Sequence, residues 1–413
     1  MATTFTRVSD SDAKAGEATE ITLNDLGFFS LSAVKTAAEN LKLIGWRTGD
    51  TVSRLDDSGD QAGFVSEIAM TRNLNRTVTA VRTGSETLKL ISWSDGSTLN
   101  RITRLKDSGD QEVADLIAIQ PVGSASSADL VTACRTQGIL KLISWNLQSA
   151  DGAFTRLGDS GNQGNRDAGL NLIALTVHDN VVVTAVRTRE GNLKLISWGI
   201  SPDGAITRLG DSANQGGAVR EIAMAGSVTA VRTREGNLKL INWGISPNGA
   251  ITRLGDSGDH GPASKIAISR FSASRYVTAV RAGNGSLRLI AFDVNPLGAV
   301  TFTGNSRPNQ AGAISEVALV TPPQNRSVTA VRDGAGNLLV INWIMQDGVN
   351  DALVEELKTQ NQFLREQLDA ERKANRENRR IIAGLVQRLP ELEPAASSEP
   401  RESPESATED DGR

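Results

Sequence analysis

Cysteine is nearly absent from this chain. Cys134 stands alone among 413 residues, so no intrachain disulfide can form. Histidine is almost as scarce: His178 and His260 are the only two. That excludes metal sites of the Cys/His type, and no cofactor is expected. There is no run of 18 apolar residues to cross a membrane as a helix. The first twenty residues lack the basic segment and apolar stretch of a secretory leader. The cytoplasm is therefore the expected compartment, with export by an unusual route left open. Strong charge of one sign is missing too. The formal net charge is −4, and residues 390–413 hold eight acids and two bases, so the remainder is about +2 (−4 minus −6). No basic stripe marks a nucleic-acid binder.

What the chain does have is repetition, the feature to seek first in a sequence of this length. VTAVRTREGNLKLISWGISPDGAITRLGDS at 183–212 returns as VTAVRTREGNLKLINWGISPNGAITRLGDS at 228–257. Weaker copies run throughout. The aromatic closing each LKLISW-like run falls at Trp46, Trp93, Trp145, Trp198, Trp243, Phe292 and Trp343, giving spacings of 47, 52, 53, 45, 49 and 51 residues. Each copy contains four short runs rich in Val, Ile, Leu, Thr and Trp, separated by turn residues and free of internal proline. In the copy at 219–255 these are VREIAM, SVTAVRT, NLKLINW and AITRLG. The longest link follows the fourth run, as the chain needs when passing from one sheet's outer strand to the next sheet's inner strand.

The first three runs occur seven times. The fourth follows the third only six times, because after Trp343 the pattern turns helical. The missing copy stands at the other end: residues 5–11, FTRVSDS, match ITRLGDS. The expected fold is all-β, a seven-bladed β-propeller over residues 1–348 with four antiparallel strands per blade. Its N-terminal strand would close the last blade and protect the sheet edges. This arrangement resembles the WD40-like propeller superfamily over residues 4–345. The likeness is one of architecture: no Asp follows the repeated Trp and no Gly-His pair is present, so no functional residue carries over.

Three sets of residues are candidates for binding. The first is a rim of cations ending the second strands: Lys35, Arg82, Arg135, Arg187, Arg232, Arg281 and Arg332. It could hold an anionic ligand, a glycan or an acidic peptide, or it could pair between blades. The second is an aromatic platform of Trp46, Trp93, Trp145, Trp198, Trp243 and Trp343, which could stack on sugars as in propeller lectins or pack between sheets. Fourth-strand arginines recur with an aspartate three residues on, and both vanish together in AVTFTGNS, where Phe302 and Asn305 replace them. Joint loss suggests ion-pair partners, with the aspartate also capping its own loop. His260 takes the place of a loop glutamine (Gln61, Gln111, Gln163, Gln215, Gln310). No catalytic triad, phosphate loop or metal-spaced cluster stands out.

The third set lies beyond Gly348. Residues 349–389 carry an a/d register that includes Leu357, Asn361, Leu364, Leu368, Ile382 and Leu385, with Asn361 at an a position as in parallel dimers. A coiled coil for self-association is expected, though its centre is polar. The stretch AERKANRENRRIIAGLVQRLPELEP resembles a C-terminal segment found on assorted actinobacterial proteins, which implies a portable association module. Residues 390–413, with four prolines and many Glu and Ser, are expected to be a disordered acidic tail. The functional expectation is a non-catalytic interaction or scaffold protein, with a protein or glycan ligand and no nucleic-acid or membrane partner. A lectin-like propeller is the alternative, and a propeller hydrolase or lyase the third.

Overall fold

A computed structural model describes residues 2–12, 16–73, 75–95, 99, 101–123, 128–162, 170–215, 217–308, 311–348 and 351–386, with the backbone alone for 351–357. The chain divides into two compact units, Met1–Gly348 and Val349–Arg413. The first is almost entirely β-structure. Its strands follow the repeat as antiparallel four-stranded groups that fit propeller blades.

The first group is β2 (Ala18–Asp25), β3 (Phe29–Thr36), β4 (Asn40–Thr48) and β5 (Val52–Asp57), and the second β6 (Gln61–Asn73), β7 (Arg76–Thr83), β8 (Leu88–Ser94) and β9 (Thr103–Asp107). The third runs β10 (Leu116–Pro121), β11 (Leu130–Thr136), β12 (Ile139–Leu147), β13 (Phe154–Asp159). The fourth is β14 (Ile173–His178), β15 (Val181–Arg187), β16 (Leu193–Ile200), β17 (Ile206–Asp211). The fifth is β18 (Val219–Ala225), β19 (Val228–Thr233), β20 (Leu238–Ile245), β21 (Ile251–Asp256). The sixth is β22 (Ala263–Arg270), β23 (Arg275–Ala282), β24 (Leu287–Val294), β25 (Val300–Ser306).

The last group is assembled from both ends of this unit. β26 (Ile314–Val320), β27 (Arg326–Asp333) and β28 (Leu338–Asp347) are joined by β1 (Thr3–Asp10), which runs antiparallel to β28. The register matches the other groups. Arg7 lies opposite Trp343, as Arg208 lies opposite Trp198 and Arg253 opposite Trp243. β1 also makes a short parallel pairing with β25.

Middle strands are buried along most of their length, whereas fourth strands are mostly half-buried or exposed. VVVTAVR in β15 and LKLISW in β16 are buried or nearly so at every position. Such strands are covered on both faces, which is why their sequences read as near-continuous apolar runs rather than clean alternations. One apolar core lies between each consecutive pair of groups. Val131, Leu140 and Leu142 of the third meet Leu175, Val186 and Trp198 of the fourth. Another joins the last group to the first, where Val328, Ala330 and Val340 pack on Val34, Ile44 and Trp46. The inner strands contact one another in chain order (β2, β6, β10, β14, β18, β22, β26), and β26 contacts β2.

A polar latch recurs at these junctions. Ser144 Oγ donates to the Gly204 carbonyl at 2.6 Å and Ser197 Oγ to that of Gly249 at 2.6 Å. The glycine is required. Gly249 sits at φ +85°, and a Cβ there would lie 2.2 Å from Leu209 Cβ. Asn342 Nδ2 makes the same latch from the last group to Gly49 O of the first.

Among its described residues the second unit contains one helix, α1 (Asp351–Val386). At about 1.5 Å per residue it is roughly 54 Å long. It is amphipathic, and its apolar side chains Leu364, Leu368, Ile382 and Leu385 are exposed. The Leu357 side chain, the end of the expected coiled coil and the tail at 390–413 lie outside the described residues.

Candidate functional site

The six tryptophans are packed in the cores between sheets, each at most 1 % exposed. Every indole N–H is used. Trp93 Nε1 donates to Thr79 Oγ1 at 2.9 Å and Trp198 Nε1 to Thr184 Oγ1 at 3.0 Å; Trp46 uses Ser32 Oγ, and Trp145, Trp243 and Trp343 use Thr132, Thr229 and Thr329. The repeated Thr of VTAVR is thus the partner of the repeated Trp. A ring buried on both faces has no surface on which a sugar could stack, so the platform reading gives way to core packing.

Four of the seven second-strand cations bond the next group. Arg82, Arg187 and Arg281 donate through Nε to the carbonyls of Ala114, Val219 and Ile314, at 2.7, 2.6 and 2.6 Å. Arg135 bonds Asp115 at 3.0 Å and the Leu170 carbonyl, and Arg332 bonds Ser315. Lys35 pairs with Glu39 at 3.4 Å, and Arg82 also pairs with Glu86. Nε of Arg232 and of Arg332 is buried without a hydrogen-bond acceptor. Six of the seven rim residues, all but Arg232, are therefore given a bond inside the fold.

The fourth-strand pairs form as the joint loss in the sixth copy suggested. Arg7, Arg54, Arg104, Arg156, Arg208 and Arg253 meet Asp10, Asp57, Asp107, Asp159, Asp211 and Asp256. The second carboxylate oxygen accepts the backbone N–H two residues on, from Gly59, Gly109, Gly161, Ala213 or Gly258. Partial burial works against ionisation, but the backbone bond and the arginine together outweigh it, so Asp107, Asp159, Asp211 and Asp256 are held below the usual carboxylate range. The next serine completes the unit: Ser212 Oγ accepts from Leu195 N, and Ser11 Oγ accepts from Val340 N at 3.0 Å. His260 bonds the Ser257 carbonyl at 2.8 Å, the contact that Gln61 and Gln111 make with Ser58 and Ser108. Its ring stacks on Phe302 at 5.5 Å, which gives that substitution a packing role.

Sequence reading missed the inner-strand glutamates. Glu20 accepts the Ile68 N–H at 3.1 Å, Glu67 that of Ile117 at 3.1 Å, and Glu221 that of Ile266 at 2.9 Å. Each carboxylate caps the inner strand of the next group. Burial, only partly offset by that bond, pushes their pKa up to about 7, about 8 and about 7. The signal was the Glu of EIAM, a lone polar residue recurring in an otherwise apolar run. Among the described residues no cluster of His, Cys, Asp and Glu could hold a metal ion.

One polar cleft, of about 320 Å³, opens between the second and third groups. Asn73, Asn75 and Arg76 line one side and Asp129, Leu147 and Ser149 the other. Arg76 crosses it, donating to the Ser149 carbonyl at 2.5 Å. Asp129 accepts from Asn146 Nδ2 and Leu147 N, which fixes its carboxylate at the wall. These residues lie at strand ends and in the turns between them; of the set, Arg76 recurs in other copies, as Arg275 and Arg326.

No family model matches the chain, and no curated protein does. Solved structures with partial likeness include the computationally designed protein Ika8 (14% identity, 82% of this chain and 99% of that one, TM-score 0.48). The periplasmic gluconolactonase PpgL of Pseudomonas aeruginosa is 13% identical over 78% and 93% of the two chains, with a TM-score of 0.49. Sqt1 of Saccharomyces cerevisiae is 11% identical over 84% and 99%, with a TM-score of 0.47. Likenesses at this level carry no argument about activity. Among the described residues no helix is long and apolar enough to cross a membrane.

Proposed function

We propose that the chain is a non-catalytic interaction protein: a seven-bladed propeller presenting a binding face, multiplied by self-association of its C-terminal helix as a coiled coil. The blade count rests on the cyclic order of inner-strand contacts and on β1 completing the sheet of β26–β28. The observation that carries the functional reading is how the recurring charged residues are used. Fourth-strand Arg and Asp, second-strand Arg and inner-strand Glu mostly bond within or between groups. What remains for a partner is the turn surface, including the Asn73–Ser149 cleft. A rigid ring with variable turns suits recognition.

Self-association rests on the exposed Leu364, Leu368, Ile382 and Leu385 at a/d spacing. Linking several copies raises avidity without any new contact. Truncation after Gly348 is expected to give a monomer by light scattering and to weaken capture of a partner in pull-downs. An unaltered mass on truncation would remove the coiled-coil role and leave a monomeric binder.

A further inference from the structure

One junction departs from the charge balance of the others. In five groups the residue after the first leucine of the third strand is lysine, and each meets a carboxylate. Lys42 pairs with Asp60 at 3.2 Å, Lys89 with Asp110 at 2.7 Å and Lys141 with Glu112 at 2.7 Å. Lys194 pairs with Asp211 at 3.2 Å, and Lys239 with Asp259 at 3.5 Å. The sixth group carries Arg288 there.

Around Arg288 the acids of the fifth group are replaced position by position. Asp256 becomes Asn305, Asp259 becomes Pro308, and Glu235 of the turn before the third strand becomes Asn284. Arg288 is half-buried, and burial lowers its pKa with no carboxylate to hold it up. Its acceptor among the described residues is neutral: in the favoured amide orientation, Asn305 Oδ1 accepts from Arg288 Nη2. The guanidinium faces a cavity of about 480 Å³ lined by Pro262, Asn284, Ser286, Asn305 and Pro308. The corresponding cavity of the fifth group, about 410 Å³, keeps Glu235 and Lys239 in its wall. A half-buried guanidinium with five donors and, among the described residues, no anion nearby is costly unless a counter-charge arrives. At the five lysine positions the chain supplies that charge itself.

We propose that this cavity is an anion site, in which Arg288 binds the oxyanion of a small ligand bearing a carboxylate or phosphate. The planar fork suits either group, since both present two oxygens to parallel N–H donors. Asn284 and Ser286 border the cavity beside it, and its volume lies in the range of small-ligand sites. The site is independent of self-association and of the function proposed above.

The test uses the full chain at constant ionic strength, titrated separately with inorganic phosphate and with succinate while thermal unfolding is followed. A saturable rise in Tm is expected with at least one. Phosphate alone would mark a phosphate-ester site, succinate alone a carboxylate site, and both a site that reads charge. Arg288→Gln should weaken the saturable response at least tenfold. Asn305→Asp, which restores the acid of the other groups, should abolish it while leaving the protein folded and at least as stable. No saturable response to either anion, or one that survives both substitutions, would overturn the assignment.

Discussion

The propeller unit uses carboxylates in two opposite ways, and the contrast separates its outer from its inner strands. On the outer strands Asp107, Asp159, Asp211 and Asp256 are ion-paired, bonded to a loop N–H and held below their usual pKa. On the inner strands Glu20, Glu67 and Glu221 are half-buried and raised to about 7 or 8, yet still accept a backbone N–H from the neighbouring group. Both sets satisfy backbone donors that the ladder leaves unpaired. The outer set caps its own loop; the inner set reaches across a junction. The same charge is therefore favourable at the periphery and carried at a cost near the centre.

Removing an outer strand altogether tests whether the periphery matters beyond its surface charges, and it should have the largest effect. Deleting residues 1–12 strips β28 of its outer partner and takes away Phe5, which is 3 % exposed in the core with Trp343 and Met345. Losing a buried Phe alone costs about 3–5 kcal/mol. Calorimetry should show a Tm lowered by roughly 10 °C or more. An unchanged Tm would mean that β1 contributes nothing to closure.

The inner set can be separated from the outer by pH. A raised native pKa means that the folded state holds its protons longer than the unfolded chain does. The glutamates' contribution is fully present below about 4.5 and is lost as pH rises through about 7 to 8. The aspartates act with the opposite sign: their contribution is present above about 3.8 and is lost only as pH falls through their depressed values. Urea midpoints should therefore decline from pH 5 toward pH 8. Glu67→Gln keeps an acceptor for Ile117 N–H and should flatten part of that decline, with the variant closest to the parent at the acid end. A midpoint that rises over this window in the parent would reverse the assignment.

The smallest effect should come from single outer pairs. Asp211→Asn retains an acceptor for Ala213 N but loses the Arg208 and Lys194 ion pairs. Partly exposed pairs of this kind are worth about 0–1 kcal/mol. A loss comparable to that of the β1 deletion would erase the distinction between the two regions.

Much of the fold was legible because the repeat writes its strands several times over. The four runs at 219–255 reappear as β18–β21 with ends shifted by one or two residues, and residues 5–11 fall within or beside β1. The Arg/Asp pairing was legible from one natural double replacement in the sixth copy. The tryptophans were ambiguous because period-2 alternation tells which residues share a face, not whether that face is covered. In a stack of sheets both faces are. The inner glutamates and the Arg288 cavity were missed for a different reason. Their meaning lies between copies: Glu67 acts on Ile117, fifty residues on, and Arg288 stands out only once the carboxylates beside every equivalent lysine are known. The polar cleft is built largely from strand ends and turns that vary between copies, so the repeat did not mark it out.

The placement of β1 also bears on how the protein is made. Thr3 bonds Asp347 across 344 positions of chain, so β1 must wait until β28 has been synthesised before the two can pair. Contacts of such long range fold slowly, and a strand awaiting its partner is an open template for any other edge. Synthesis from a message truncated anywhere before β28 would release a chain with that first segment orphaned, so length itself becomes a checkpoint on whether the unit can shut.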